Sequence, residues 1–460
     1  MAAGNWRYHT RDFFKGERGG KKSRYRANIE AIKTLRAIQA EGRDVATPDE
    51  QEKLSKYVGW GAFPELFGYD PDWREERAEF AALVPDREDR ESAARSTINA
   101  HFTHPDVVDA HWRMLQRLGF KGGKFLEPSV GIGYYLGMMP PEVASRTAVS
   151  AVELDNTTAA IAKLLYPSAH VANQGFQDFA TPDNFYDVVA SNVPFAAAGP
   201  HDPRYNSFKA SLHDYFFLKS VDAAKPGGVV AHITSTGTMD KPAGANVRKQ
   251  LAETCDLLAA VRFPGGAHEE NAGTQVVTDM LILRKRPVGV APPPMDVTPP
   301  EAEPKQPGFT GVTTDSLGRV YHWVDGKRVP HDHWVDVKPT TLADGKPARL
   351  NAYWQTHPDD VLGTIDHSGT MYRKDSLNVT RADDYDERLN RIIERLPENV
   401  LETSDPWEKN PEQVRALYEH ASEVKEGGYW VDEDGTLVVR ANNAFRPAKV
   451  SKTEIGRAHV

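Results

Sequence analysis

The sequence predicts an α/β chain built around a doubly wound, mostly parallel sheet, with an N-terminal helical segment and a small C-terminal α+β extension. Three observations lead there. Between residues 121 and 286, apolar runs of strand length alternate with helical segments, the order that covers a parallel sheet on both faces. Upstream, apolar residues recur at helical spacing. Downstream, a proline-rich stretch gives way to short hairpin-like patterns.

Taken in order, residues 24–41 place Ile29, Ile32, Leu35 and Ile38 on one helical face. Thr47-Pro48-Asp49-Glu50 starts a second helix, with Thr47 as cap and Pro48 at the first position, and Tyr57-Val58-Gly59-Trp60-Gly61 closes it. Lys124-Phe125-Leu126-Glu127 reads as a strand entering the turn Pro128-Ser129-Val130-Gly131-Ile132-Gly133. Ala148 to Asp155 is a second strand with acids at its carboxyl end, and Gln174 to Phe179 follows another short βα step. Val188-Val189-Ala190, Val229 to Ile233 and Met280 to Leu283 are later strands, while Arg262 to Gly266 and His268 are expected in a loop. Residues 287–308 read as a semi-extended linker outside any core. Arg319 to Lys327 has the form of a hairpin around Asp325-Gly326. Tyr353, Trp354 and Leu362 begin a return segment, residues 384–396 read as helix, and Gly427 to Val439 as another hairpin.

Composition narrows the function classes. A net charge of −9 over 460 residues argues against nucleic-acid binding by bulk electrostatics, so local charge matters more. Residues 1–36 carry ten lysines and arginines against three acids, among them Arg18, Lys21, Lys22, Arg24 and Arg26. That segment reads either as a phosphate-contacting arm or as a solvated tail. The single cysteine, Cys255, excludes a disulfide framework and a thiolate zinc cluster. His322, His331 and His333 are close in sequence but lack an organised acid nearby, so they are expected at the surface and no metal is expected. No apolar run approaches the roughly 20 residues that cross a bilayer. No apolar core follows the N-terminal charges as in a signal peptide, so the expected location is cytoplasmic.

The chemistry centres on Asn192-Val193-Pro194-Phe195, a rigid polar-aromatic tip at the end of an apolar strand. A planar amino group such as N6 of adenine is a poor nucleophile because its lone pair is delocalised. An Asn side-chain oxygen and a neighbouring carbonyl can accept both of its N–H bonds and localise that pair. Pro194 stiffens the turn, and Phe195 offers a face for a flat base. Alone, the tip also fits an ordinary strand-to-loop turn. Upstream, Gly131 and Gly133 would let backbone approach a ligand, and Glu127 suits a cationic ligand better than a pyrophosphate. Glu153 stands where an acid typically binds a ribose diol, and Asp178 is a third acid at a strand end. Three acids at successive strand ends, followed by this tip, are hard to ascribe to coincidence.

With these motifs the chain resembles the S-adenosylmethionine-dependent DNA N6-adenine methyltransferases, whose fold is a Rossmann-like methyltransferase sheet. The resemblance implies that Glu127, Pro128, Gly131 and Gly133 hold the methionine end of the cofactor, Glu153 the ribose, and Asp178 with Phe179 the adenine. It implies that Asn192, Val193, Pro194 and Phe195 form the catalytic tetrad, with Val193 in place of the commoner proline. Phe102, Thr103 and Pro105 match a cofactor-capping motif ahead of the first strand, which gives the gamma motif order. His213 to Phe217, Ile233 to Lys241 and Asn271 to Thr274 further resemble the methylase part of large phage and plasmid polypeptides that join it to helicase-like modules. The resemblance covers residues 24 to 286.

The implied activity is methyl transfer to N6 of adenine in DNA by direct in-line attack after base flipping, in a modification or anti-restriction role. Cys255 follows Thr254, whereas cytosine-C5 enzymes carry Pro before a nucleophilic cysteine. Phe263 or His268 is a candidate second wall for the flipped base. Glutamine-N5 or guanine-N2 methylation, and an inactive DNA-binding anti-restriction module, remain alternatives. The expected organisation is a basic arm and helical region over 1–97, a methyltransferase domain over 98–286, the linker over 287–308 and the extension over 309–454. Residues 455–460, Ile-Gly-Arg-Ala-His-Val, are what a common sequencing-adapter stretch encodes. They are expected to be an artefact, with the natural chain continuing; a genuine stop codon after Val460 on re-sequencing would refute this.

Overall fold

A computed structural model of the chain describes residues 4–8, 20–61, 63–96, 103–265, 276–369, 376–404, 429–431, 437–441 and 444–447. Its centre is a seven-stranded sheet. The strands are β1 (Gly123–Glu127), β2 (Thr147–Glu153), β3 (His170–Asn173), β4 (Tyr186–Asn192), β5 (Ala224–Ser235), β6 (Cys255–Phe263) and β7 (Thr278–Lys285). They lie in the order β3-β2-β1-β4-β5-β7-β6. Every pairing from β3 to β5 is parallel, and β7 runs antiparallel between β5 and β6. This is a doubly wound, Rossmann-like arrangement, and it is the α/β fold the sequence predicts. Its strand order reverses between β1 and β4, and that switch point is where open α/β sheets bind ligands.

Alternate residues of each strand face opposite layers, as the pleat requires. Phe125, Val188 and Val229 enter one apolar cluster, while their neighbours Leu126, Val189 and Val230 enter the other. The first cluster includes residues of α1 (Lys21–Ala40), α2 (Pro48–Ser55), α3 (Arg74–Leu83), α4 (Pro105–Arg117), α5 (Tyr134–Met138) and α6 (Asn156–Leu165). The second includes residues of α7 (Leu212–Ala223) and α8 (Ala245–Thr254), with Trp334, Leu350, Tyr353, Trp354, Val361 and Val379. Ile29, Ile32, Leu35 and Ile38 are buried as their spacing predicts. Thr47 and Glu50 form a reciprocal capping box at the start of α2.

The C-terminal segment is bound to the same body. Leu362 donates its N–H to Arg262 at 2.9 Å, and α9 (Tyr385–Arg395) lies against α4. Further on, Ser404 reaches the buried Asp187 of β4. The hairpin at Asp325-Gly326 forms as expected, with φ of 50° and 72° suiting its tight turn.

Four expectations are corrected. A strand buried on both faces shows no alternation, so β6 carries no clear strand signal in the sequence; Arg262 and Phe263 lie in it, not in a loop, and both are buried. Phe263 is fully buried and so offers no face to a base. The proline-rich segment is pinned: Arg328 donates to the carbonyls of Pro293 and Val297, and Ala302 is buried beside Tyr321 and Trp323. The histidines also differ. His322 is buried and its ring stands 5.2 Å from that of His333, although no group of three such ligands suits a metal among the described residues. Apart from these corrections, Lys21 and Lys22 pair with Glu65 and Glu76. Phe102, His268, Asn271 to Thr274 and residues 455–460 lie outside the described residues.

Candidate active site

The site gathers where β1, β2, β4 and β5 end side by side. Glu127 closes β1, Glu153 closes β2 and Asn192 closes β4, with Asn192 paired in register to Ile233 of β5. The strand order therefore brings the glycine turn after β1 against the tip after β4.

The turn is built by backbone conformation. Gly131 and Gly133 have φ of 55° and 79°, a region that side chains other than glycine rarely adopt. A Cβ on Gly133 would fall 2.3 Å from a ring carbon of Tyr166. The Tyr166 hydroxyl donates to the Gly133 carbonyl at 2.6 Å, fixing the turn from behind. Glu153 fixes it from the side: its carboxylate accepts the N–H groups of Gly131 and Asp155, each at 2.9 Å. Burial pushes Glu153 up to about 7, and those two N–H groups pull the other way.

Glu127 has no such compensation. It is 2% exposed, and among the described residues its Oε2 has no hydrogen-bond partner and no lysine or arginine forms an ion pair with it. Burial, with the Glu153 carboxylate adding to it, raises Glu127 well above the usual carboxylate range. Buried polar groups are normally satisfied, so an orphaned carboxyl beside a backbone cradle marks a place for a cationic group.

Other expected residues fall around this centre. Pro128 is buried between Glu127 and the glycine turn, and Thr103 is buried at the entry to α4. That helix is tied to α5: His111 Nδ1 lies 2.7 Å from the Tyr135 hydroxyl, and Trp112 donates to the Tyr135 carbonyl at 3.1 Å. Burial lowers His111 to about 3, so it is neutral there. Asp178 stands exposed in the turn beyond β3 and accepts a hydrogen bond from Gln177, while Phe179 is buried near His170.

At the tip, Val193 is buried and donates its N–H to the Ile233 carbonyl at 3.0 Å. Pro194 and Phe195 are half-buried. Two residues had no assigned role from sequence. Leu154, directly after Glu153, is 72% exposed, an apolar surface beside that buried acid. His213 packs edge-on to Phe195, a tertiary contact with no local signal. Cys255 lies at the start of β6, at the opposite edge of the sheet, and burial pushes its thiol up to about 12.

No family model matches the chain. Among curated proteins it is similar to the "Defense against restriction protein B" of Escherichia phage P1, at 28% identity over 208 residues. The match covers 44% of this chain and 9% of that protein, so the chain spans under a tenth of the relative's length. Solved structures of similar fold include a Listeria monocytogenes protein assigned to the class I S-adenosylmethionine-dependent methyltransferases. It shows 17% identity, covers 58% of this chain and 90% of its own, and has a TM-score of 0.38. Another is the type I restriction-modification methyltransferase subunit of Streptococcus thermophilus, with 18% identity, 53% and 51% coverage and a TM-score of 0.37. These likenesses are loose and assign no activity or residue to this chain. Among the described residues no helix is long and apolar enough to cross a membrane.

Proposed function

We propose that the chain is an S-adenosylmethionine-dependent DNA methyltransferase that acts on N6 of adenine. The observation that carries this reading is the adjacency, at the sheet's switch point, of the orphaned Glu127 carboxyl and the Asn192-Val193-Pro194-Phe195 tip. Glu127 would hold the cofactor's ammonium, the Gly131–Gly133 turn its methionine end, and Glu153 its ribose. Asp178, Phe179 and the exposed Leu154 would border its adenine, with Thr103 and Phe102 as cap. Bound there, the cofactor supplies an electrophilic methyl group.

The chain's own residues then do the positioning. An adenine extruded from the duplex would lie against Phe195. The Asn192 side-chain oxygen and the Val193 carbonyl would accept its amino N–H bonds, localising the lone pair and stabilising the positive charge that builds on nitrogen. Holding both partners in one geometry supplies most of the rate gain. No side chain needs to become covalently attached, which agrees with Cys255 being neutral and at the far edge. The phage relative's name speaks of defence against restriction. We infer a comparable setting here, in which methylation protects or marks phage or plasmid DNA. Incubating the chain with methyl-labelled S-adenosylmethionine and unmethylated DNA, then separating the nucleosides, tests the reading. Label in N6-methyldeoxyadenosine supports it; label confined to a cytosine product, or to protein, refutes it.

A further inference from the structure

The aromatic face of the tip is useful only if its plane is fixed, and the structure carries a device that fixes it. α7 begins directly against the chain that leaves the tip: the Leu212 N–H donates to the Ala196 carbonyl at 3.1 Å. Ser211 caps this helix by accepting the Asp214 N–H. In its first turn His213 is buried, at 2% exposure, and its ring meets Phe195 at 6.2 Å between centroids and 90° between planes. An edge-on contact of this kind constrains the tilt of the ring it meets.

His213 is itself held. Its Nε2 lies 3.2 Å from Ser235 Oγ at the end of β5, and that oxygen accepts the Gly237 N–H, also at 3.2 Å. With the Ser235 oxygen already accepting, its hydroxyl proton is free to go to Nε2. His213 Nδ1 is buried without a partner among the described residues. A phenylalanine would fill this space without that desolvation cost, so packing alone does not account for a histidine here. The turn beyond Ser235 is braced in turn by Arg248, which donates to the Thr238 and Lys241 carbonyls at 2.9 and 3.0 Å.

We propose that His213, anchored by Ser235, is a positioning residue that sets the plane of Phe195 for stacking against the extruded base. It rests on the methyltransferase reading above and acts through Phe195, without touching the transferred methyl group. The anchor makes the ring edge rigid, and the rigid edge keeps Phe195 from rotating into the base pocket.

The test uses the full chain as wild type, His213→Ala, His213→Phe and Ser235→Ala. S-adenosylhomocysteine affinity is measured by calorimetry, and single-turnover methyl transfer is measured on unmethylated genomic DNA. His213→Ala is expected to slow transfer at least tenfold while cofactor-product affinity changes less than twofold. His213→Phe restores a ring edge without the Ser235 anchor, so it and Ser235→Ala should both fall between wild type and His213→Ala. The proposal is overturned by His213→Ala at the wild-type rate, by His213→Phe no faster than His213→Ala, or by affinity falling as far as rate. A wild-type chain that binds S-adenosylhomocysteine but transfers no methyl group overturns the reading on which it rests. An active wild type beside an unrescued His213→Phe overturns only the role of His213.

Discussion

Replacing Glu127 by glutamine keeps the shape of the side chain and removes the one charge that a bound ammonium would meet. The group is 2% exposed and has an unpartnered Oε2, so it is not screened by solvent. Removing one partner of such a buried charge pair costs about 2–5 kcal/mol of binding, which is roughly a 30-fold or greater rise in Kd. The free chain should respond in the opposite sense. Burial raises Glu127 above its ordinary range, so the folded state holds a proton that the unfolded state has already released. The stability tied to that proton is fully present below the unfolded value and is lost as pH rises toward the folded one. The slope is at most about 1.4 kcal/mol per pH unit. Glu127→Gln removes this slope, so between pH 5 and pH 8 (roughly the span in which maximal stability falls) the cofactor-free mutant should gain stability relative to wild type. Calorimetry in two buffers of different ionisation enthalpy completes the assay, because wild type should release protons as Glu127 ionises against the ligand and the mutant should release fewer. Unchanged S-adenosylhomocysteine affinity in Glu127→Gln, with no net proton release by wild type, would refute this reasoning.

Other outcomes follow from the same geometry. In Glu127→Gln, where position 127 no longer titrates, affinity should still rise as pH passes about 7, because the ionised Glu153 carboxylate shapes the turn and would accept a ribose hydroxyl; a flat profile contradicts this. Asp187 is fully buried, pairs with Lys225 at 2.5 Å and accepts the Lys124 and Ser404 N–H groups, so Asp187→Ala should cost about 3–5 kcal/mol in urea unfolding. A loss under 1 kcal/mol (about the worth of an exposed pair) would mean that this network is not holding β1, β4 and the C-terminal segment together. Gly133→Ala should lose the roughly 1–2 kcal/mol of a left-handed residue and more from the clash with Tyr166, whereas Gly227→Ala has the same φ of 79° and open space, so it should lose only the first. Equal Tm shifts for the two would show that the Tyr166 contact yields freely.

Much of the fold was legible because its signals are local. Ile29 to Ile38 announce α1 by spacing, and Thr47 with Glu50 announces the capped start of α2. The strands ending in Glu127, Glu153 and Asn192 could be read from an apolar run followed by a polar or glycine turn. What failed needed knowledge of partners distant in sequence. β6 carries Leu257 to Val261 buried on both faces, so it lacks the alternation that marks a half-buried strand. The proline-rich segment looked independent because its prolines lack donors, but Arg328 supplies the donors from the hairpin beyond it. Nothing local to His322 in the sequence announces its burial, which the fold imposes. At the site, the acids and the tip were legible one by one, whereas the lack of a partner for Glu127 and the contact of His213 with Phe195 exist only after folding.

The most direct test of the central claim is the N6-methyladenine content of DNA from a methylation-free bacterial host expressing this chain, beside the same host expressing Asn192→Ala. The account predicts N6-methyladenine with the wild type and none with the mutant, because the Asn192 oxygen is one of the two acceptors that would activate the amino group. Methyladenine at equal levels with both would contradict the assigned tip, and its absence from both, with the protein folded and binding S-adenosylhomocysteine, would contradict the assigned substrate.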